Sequence, residues 1–423
     1  MGLGSSPLKM STWLTIWVLM LGFGTVELSL TSQNNTRSGK AFSIFQIIRF
    51  KNEPCGGSAS RNGTCYTSEE CASRDGSASG SCAQGFGVCC IFSLGCGGTS
   101  SENCTYLQQS GSSNPCTFTI CKCSSNICRI RLDFVSFSIA GPSVGTTSVR
   151  AFSMNGGAIG DCTTDTFSVT APESVSSPVI CGFNTGQHMI LDASDGCHLA
   201  AFDFGGTGTT RMFDIKVTQY TCGDENGGPP GCLQYFTGNT GRFASFNFPT
   251  SSNSISSTVT HLSNQCYAMC FRQELGKCAI CFSPVSVGTA AAIDQGSFGL
   301  SIALPGTATK GLQDTGCNAD YLQIPGAQRD ATPAAEMFVV GSMSPFVHHR
   351  ICGRFFSFTD AATDEGGIVN TESICTQTRP FRVLFKTDAD EMTERITAVV
   401  ANEQAGFPGG IIGFHLNYAL QDC

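Results

Sequence analysis

Twenty-five cysteines are spread through this chain of 423 residues. They constrain its fold more than any other feature. A reducing compartment would keep them as thiols, whereas an oxidising one pairs them. Zinc is the rival explanation. A structural zinc site wants two paired C-x2-C arms or a Cys/His set. Only Cys278 and Cys281 have that spacing, and no second arm completes them. Disulfides are therefore expected, and with them a secreted, extracellular setting.

The N-terminus fits that setting. Lys9 precedes an apolar run from Trp13 to Phe23, with small residues Gly22 and Gly24 at its end. This is the layout of a secretory signal peptide, expected over residues 1–24. The run is short for a membrane span, and no other segment reaches eighteen apolar residues. The chain is expected to carry no membrane segment after cleavage. Both tryptophans of the chain, Trp13 and Trp17, lie inside the run. Three Asn-x-Ser/Thr sequons begin at Asn34, Asn62 and Asn103. Each is a candidate glycosylation site. The middle residue of the third is Cys104, which is itself a candidate for cross-linking.

Charged residues make up only 13% of the chain and the formal net charge is −8. Binding to nucleic acid or an anionic membrane needs dense Lys and Arg, so both are excluded as partners. The 49 glycines, many Ser and Thr, and few charged helical stretches favour short strands joined by turns.

Composition divides the chain. Residues 25–54 read as an N-terminal linker, with an apolar stretch from Ala41 to Phe50 expected to pack on the next module. Residues 55–92 hold six cysteines: Cys55, Cys65, Cys71, Cys82, Cys89 and Cys90. So little apolar residue lies between them that burial cannot stabilise the segment. Three bridges can, each contributing about 2–4 kcal/mol. Sequence alone leaves the pairing open.

Residues 96–222 hold ten cysteines. Strand-like runs include Cys128–Phe134, Thr166–Thr170, Met189–Leu191, Ala200–Phe204 and Met212–Val217. Their spacing suggests an antiparallel sandwich. The Gly/Pro/acidic stretch 223–231 reads as a linker. Residues 232–423 give a second β-patterned region, including Phe243–Phe248, Cys278–Phe282, Phe298–Ala303, Phe381–Phe385 and Gly413–Tyr418. Segments 326–349 and 359–375 read as long insertions. The expected fold class is all-β: a small disulfide-rich knot followed by two antiparallel β-sandwiches.

Particular phrases carry a resemblance. Cys96-Gly97-Gly98, Cys116-Thr117-Phe118, Leu132-Asp133-Phe134-Val135-Ser136-Phe137, Cys162 with Asp165, and Cys181-Gly182 resemble successive landmarks of CUB domains. Cys317-Asn318-Ala319-Asp320, Cys352-Gly353 and Gly413–Tyr418 resemble several of them again. The chain looks most like a group of arthropod secreted CUB proteins. Asn62–Tyr66, Gly85–Cys90, Asn184–Met189 and Gly231–Phe236 carry that likeness. The six-cysteine module resembles a clip domain, which ends in paired cysteines.

The resemblance implies two CUB-like domains, over 96–222 and 232–423. It implies a non-enzymatic protein that binds extracellular protein or glycan partners through loops at one sandwich end. A structural matrix or cuticle component is one alternative. A non-catalytic cofactor of a serine-protease cascade is another. No Gly-Asp-Ser-Gly-Gly run, H-E-x-x-H pattern, P-loop or dinucleotide fingerprint is present in the sequence. No catalytic residue is therefore assigned. His348 and His349 sit in an expected loop. As neighbours on a strand they would face opposite ways and could not share a metal.

Many CUB domains bind calcium through a Glu and two Asp residues, and no other cofactor is implied. Asp320 and Asp388 are the candidates in the second region, where the Glu is missing. The first region has Asp165, but Gly205-Gly206 stands where the later Asp would be. The alternative role for Asp165 and Asp320 is to accept backbone N–H bonds and fix a turn.

The resemblance also implies bridges Cys96–Cys116, Cys162–Cys181 and Cys317–Cys352. For the clip-like module it implies Cys55–Cys89, Cys65–Cys82 and Cys71–Cys90. Cys123–Cys128 would close a small loop. Elimination then leaves Cys197–Cys222 and Cys104–Cys121. The last region has nine cysteines, so one is left over. Cys266 is the candidate unpaired thiol, because the family has no cysteine at its position. One thiol per chain, or a disulfide-linked dimer, is expected.

Overall fold

The fold is that of a computed structural model. It describes residues 48–109, 114–143, 159–206, 210–252, 259–287, 297–300, 311–313, 317–329, 348–353, 356, 373–389 and 411–423. The expected signal peptide, Asn34, and all but the end of the Ala41–Phe50 stretch lie outside these residues. So do most of the two expected insertions and the end of Phe298–Ala303. The chain divides into two units, Met1–Arg49 and Phe50–Cys423. The second is described below.

The protein is almost entirely β. Its first part is the cysteine-rich knot. Strand Gly87–Leu94 pairs antiparallel with Asn62–Tyr66 and with Ser77–Cys82, and Pro54–Gly56 adds an edge. A short helix, Ser68–Ser73, begins at Thr67. The Thr67 hydroxyl accepts the Glu70 N–H, and the Glu70 carboxylate accepts the Thr67 N–H, each at 3.1 Å. That reciprocal cap satisfies two N–H groups a helix start leaves orphaned.

Cys55–Cys89, Cys65–Cys82 and Cys71–Cys90 close the knot. Neighbouring strand residues face opposite sides, which lets Cys89 reach the edge strand and Cys90 the helix. The chains pack so closely that a Cβ on Gly63 would stand 2.2 Å from the Cys90 carbonyl oxygen.

The knot does not end in a linker. Phe92, Ser93 and Leu94 pair in parallel with Thr105, Tyr106 and Leu107. One eight-stranded sheet therefore runs from the knot into the first sandwich. Arg61 reinforces the join, lying 4.4 Å over the Tyr106 ring and 2.5 Å from Asp214.

In the first sandwich that sheet continues through Thr105–Gln108, Met212–Thr221, Ile127–Ser138 and His188–Asp192. The facing sheet holds Thr99–Ser100, Cys116–Ile120, His198–Phe204 and Asp165–Thr170. Alternate residues of both sheets bury Phe118, Phe134, Phe137, Phe167, Phe202 and Phe213. Phe202 and Phe213 stack with centroids 4.0 Å apart. Aromatic pairs of this kind add to the burial energy.

The second region forms an eleven-stranded assembly. Strand Tyr321–Arg329 links its two layers. Tyr321, Leu322 and Gln323 pair with Arg382–Lys386, whereas Gln328 and Arg329 pair with Ile374–Thr376. The change of partner falls at Pro325-Gly326, where Gly326 adopts φ +63°. A strand that switches layers through such a corner is how two sheets close over a core.

The structure alters the expected loops. Residues 326–329 belong to Tyr321–Arg329, and His348 and His349 open strand His348–Gly353. Residues 374–375 belong to Ile374–Thr376. The expected linker is also not a loose spacer. Arg129, 6% exposed, donates to the carbonyls of Gly227, Pro229 and Cys232 at 3.1–3.2 Å. Leu233 then bridges the two sandwiches, accepting from Ile190 N–H and donating to the Ala268 carbonyl. Phe134 and Phe246 meet across this junction at 6.4 Å. The two sandwiches thus share one core.

Candidate functional site

Asp165 opens strand Asp165–Thr170 and is wholly buried. Its Oδ2 accepts the Ala140 N–H and Arg211 Nε–H, both at 2.9 Å. Its Oδ1 accepts from Arg211 Nη2 at 2.8 Å. The same Nη2 donates to the Gly205 carbonyl at 2.5 Å, and the guanidinium lies 4.7 Å over the Phe204 ring. The hydrogen bond to Asp165 raises the Arg211 pKa further. Calcium does not fit this arrangement. A guanidinium already neutralises the single carboxylate, and calcium wants six or more oxygen ligands.

Asp320 is 3% exposed, and its Oδ1 accepts the Asp388 N–H at 2.9 Å. The structure thus brings the two candidate residues together through one side chain and one backbone group. Among the described residues, no group of three or more His, Cys, Asp or Glu is placed to hold a metal. Calcium wants six or more oxygen ligands, of which these two residues would supply part. Asp165 and Asp320 each accept a backbone N–H beside a turn.

The histidines are built into the fold. His188 Nε2 accepts the Tyr235 N–H at 2.9 Å, across the junction. Burial pushes its pKa well down. His415 is pushed down to about 4 by burial and then by Arg242. His198 approaches the Ser194 hydroxyl at 3.5 Å, but its Nε2 accepts the Ser194 N–H at 3.2 Å. The hydroxyl donates to the Gly196 carbonyl, and His198 Nδ1 has no partner. A nucleophile–base pair needs a free imidazole lone pair and an orienting group on the other nitrogen. This pair has neither. His349 Nδ1 accepts the Gly326 N–H at 3.2 Å.

The cysteines correct part of the expected pairing. Cys96–Cys116, Cys162–Cys181 and Cys317–Cys352 are bonded. Cys123–Cys128 is not formed, because Cys128 bonds Cys222. Cys121 bonds Cys197, which replaces both Cys104–Cys121 and Cys197–Cys222. Antiparallel register is the reason. Ile120 faces His198, so Cys121 lies beside Cys197. Between the pairs Tyr220–Arg129 and Thr221–Ile127 the register skips Cys128, and this bulge lies next to Cys222, which bonds Cys128. In the second region Cys232–Cys270, Cys278–Cys423 and Cys281–Cys375 are closed. Three thiols remain rather than one: Cys104, Cys123 and Cys266.

Cys266 is exposed at the start of strand Cys266–Phe271. It lines a groove of about 120 Å³ with Val175, Pro178, Leu191, Leu233 and Tyr267. Val175 is 84% exposed there. Of the sequons, Asn62 is exposed. Asn103 is engaged, its Oδ1 accepting the Gln219 N–H at 2.8 Å and its Nδ2 donating to the Gln219 carbonyl. Sequence reasoning missed Arg129 and Arg211, whose partners lie far away in the chain or on backbone carbonyls. The one signal was chemical: Asp165 has no second carboxylate, yet a buried carboxylate needs a counter-charge.

Comparison with known proteins places part of this geometry in a class. Residues 229–421 match the family model of the animal CUB domain. The chain therefore carries a CUB domain, a kind of module that is generally non-catalytic and typically mediates extracellular protein interactions. Among solved structures, it is similar to the CUB1-EGF-CUB2 domains of rat MASP-1, at 13% identity, covering 78% of this chain and 99% of that one, with a TM-score of 0.21. For the CUB1-EGF-CUB2 domain of human MASP-1/3 the values are 15%, 75%, 98% and 0.21. For the full extracellular region of zebrafish Gpr126/Adgrg6 they are 9%, 78%, 36% and 0.20. No curated protein matches the chain.

Proposed function

We propose that this is a secreted, non-enzymatic extracellular protein that binds protein or glycan partners through two CUB-like domains. The match of residues 229–421 to the animal CUB model carries the reading. The first sandwich, 96–222, is read as a second CUB-like domain on its landmarks. The module at 55–92 is read as clip-like, and the whole as akin to the arthropod secreted CUB proteins. Residues 1–24 serve as the signal peptide.

The eleven bridges support a rigid binding surface. Loops fixed before binding cost less to order. The Asp165–Arg211 pair supports a first domain that works without calcium. The exposed Cys266 supports a disulfide-linked dimer.

Immobilised full-length protein, incubated with extracellular fluid and with matrix polysaccharide, tests the reading. Saturable capture of a protein or glycan by soluble material is expected. Insolubility with multivalent self-association would favour the matrix alternative. Capture of a serine protease alone would favour the cascade cofactor. Chemical conversion of the bound ligand would overturn all three.

A further inference from the structure

Cys104 and Cys123 are the two cysteines of the first sandwich that carry no bridge. Three tethers bring them to one place. The turn from Ser100 to Thr105 folds back on itself, with Ser100 Oγ 2.9 Å from Thr105 Oγ1 and accepting the Glu102 N–H. The Ser100 carbonyl in turn accepts the Cys121 N–H at 2.9 Å, so this turn lies against the segment that leads to Cys123.

Gln219, 5% exposed, supplies the other two. Its backbone N–H donates to Asn103 Oδ1, the same oxygen that accepts the Cys104 N–H, each at 2.8 Å. Its side chain donates to the Cys121 carbonyl at 2.9 Å and accepts the Cys123 N–H at 2.8 Å. One buried residue thus grips the backbone on both sides. Burial raises the Cys123 pKa first, with Glu102 and then Cys104 adding to it.

We infer that Cys104 and Cys123 form a twelfth intramolecular disulfide when the protein meets a low-molecular-weight disulfide. The remaining cysteines of the first sandwich are already bridged, so neither has a competing thiol there. Exposure sets the order of events. Cys123 is exposed and Cys104 buried. The Cys123 thiolate attacks one sulfur of oxidised glutathione, forming a mixed disulfide and releasing one glutathione thiolate. The Cys104 thiolate then attacks Cys123 Sγ and releases the second glutathione. Two protein thiols are oxidised, and one glutathione disulfide is reduced to two thiols. Burial raises both protein thiols, so the exchange quickens as pH rises above neutral.

The new bridge would tie the Ser100–Thr105 turn to the loop after Cys121. Both border a cleft of about 340 Å³ whose lining includes Tyr66, Arg74, Glu102 and Cys123. The knot and the first sandwich meet there, so the cross-link would stiffen that join.

Full-length chain carrying Cys266→Ser removes the third thiol from the count. After incubation with oxidised glutathione, thiols are titrated in denaturant and fragments mapped without reduction. The expected result is no titratable thiol and a fragment linking Cys104 to Cys123. Adding Cys104→Ser should leave a stable glutathione adduct on Cys123, because nothing resolves it. Two thiols persisting in the first variant, or glutathione held on Cys123 beside a titratable Cys104, would overturn the inference.

Discussion

Arg211 grips Asp165 at two points, Nε to Oδ2 at 2.9 Å and Nη2 to Oδ1 at 2.8 Å, with the carboxylate fully buried. Removing one partner of such a pair strands a charge in the core. Arg211→Ala should therefore destabilise the protein by about 3–5 kcal/mol in urea unfolding. Arg211→Lys keeps the charge but loses the planar two-point contact, so an intermediate loss is expected. A loss within about 0.5 kcal/mol for the alanine variant, typical of an unimportant surface site, would contradict the assignment.

Arg129 ties the junction by a different logic. One guanidinium serves three backbone carbonyls and the Asp192 carboxylate. A lysine ammonium is compact and cannot span that fork. Arg129→Lys should open residues 223–231 to limited proteolysis several-fold faster than in the parent. Unchanged cleavage kinetics would mean that the segment is held by other contacts.

Buried histidines give the protein an acid-side weakness. His188, His198 and His415 all have folded pKa values lowered by burial, His415 to about 4. The unfolded chain takes up their protons near pH 6.5, before the folded one does. Stability from these groups is therefore complete above about pH 6.5 and declines as pH falls toward 4. For His415 alone the window corresponds to about 3 kcal/mol. His415→Phe should flatten the curve between pH 6.5 and 4. An identical pH profile in the variant would remove His415 from this account.

Glycan occupancy should differ between the described sequons. Asn62 is exposed, whereas both ends of the Asn103 amide are bonded to Gln219. Glycopeptide mapping of secreted protein should find sugar at Asn62 and none at Asn103. Full occupancy of Asn103 would show that the Gln219 contacts form differently.

The strands were legible because alternation is local. The run Cys128–Phe134 carries the period-2 pattern of a half-buried strand, and it lies in Ile127–Ser138. The all-β class followed from such runs. Bridge partners were legible only in part. The knot pairs as the clip resemblance implies, but proximity in sequence misled at Cys123 and Cys128. A disulfide follows strand register, and register is set by which strands are neighbours. Ile120 facing His198 is a contact across 78 residues of sequence. The roles of Arg129, Arg211 and Gln219 were hidden for the same reason. Each acts on backbone or side-chain groups that only the folded topology brings near.

In the proposed function the protein is secreted and its disulfide-held surface binds a partner without transforming it. The most direct test is a binding isotherm for secreted full-length protein against the captured protein or glycan, before and after reduction, with the ligand recovered and analysed. Saturable binding that reduction abolishes is expected, with the ligand recovered chemically intact. Binding unaffected by reduction, or ligand returned as a cleaved or modified product, would contradict it.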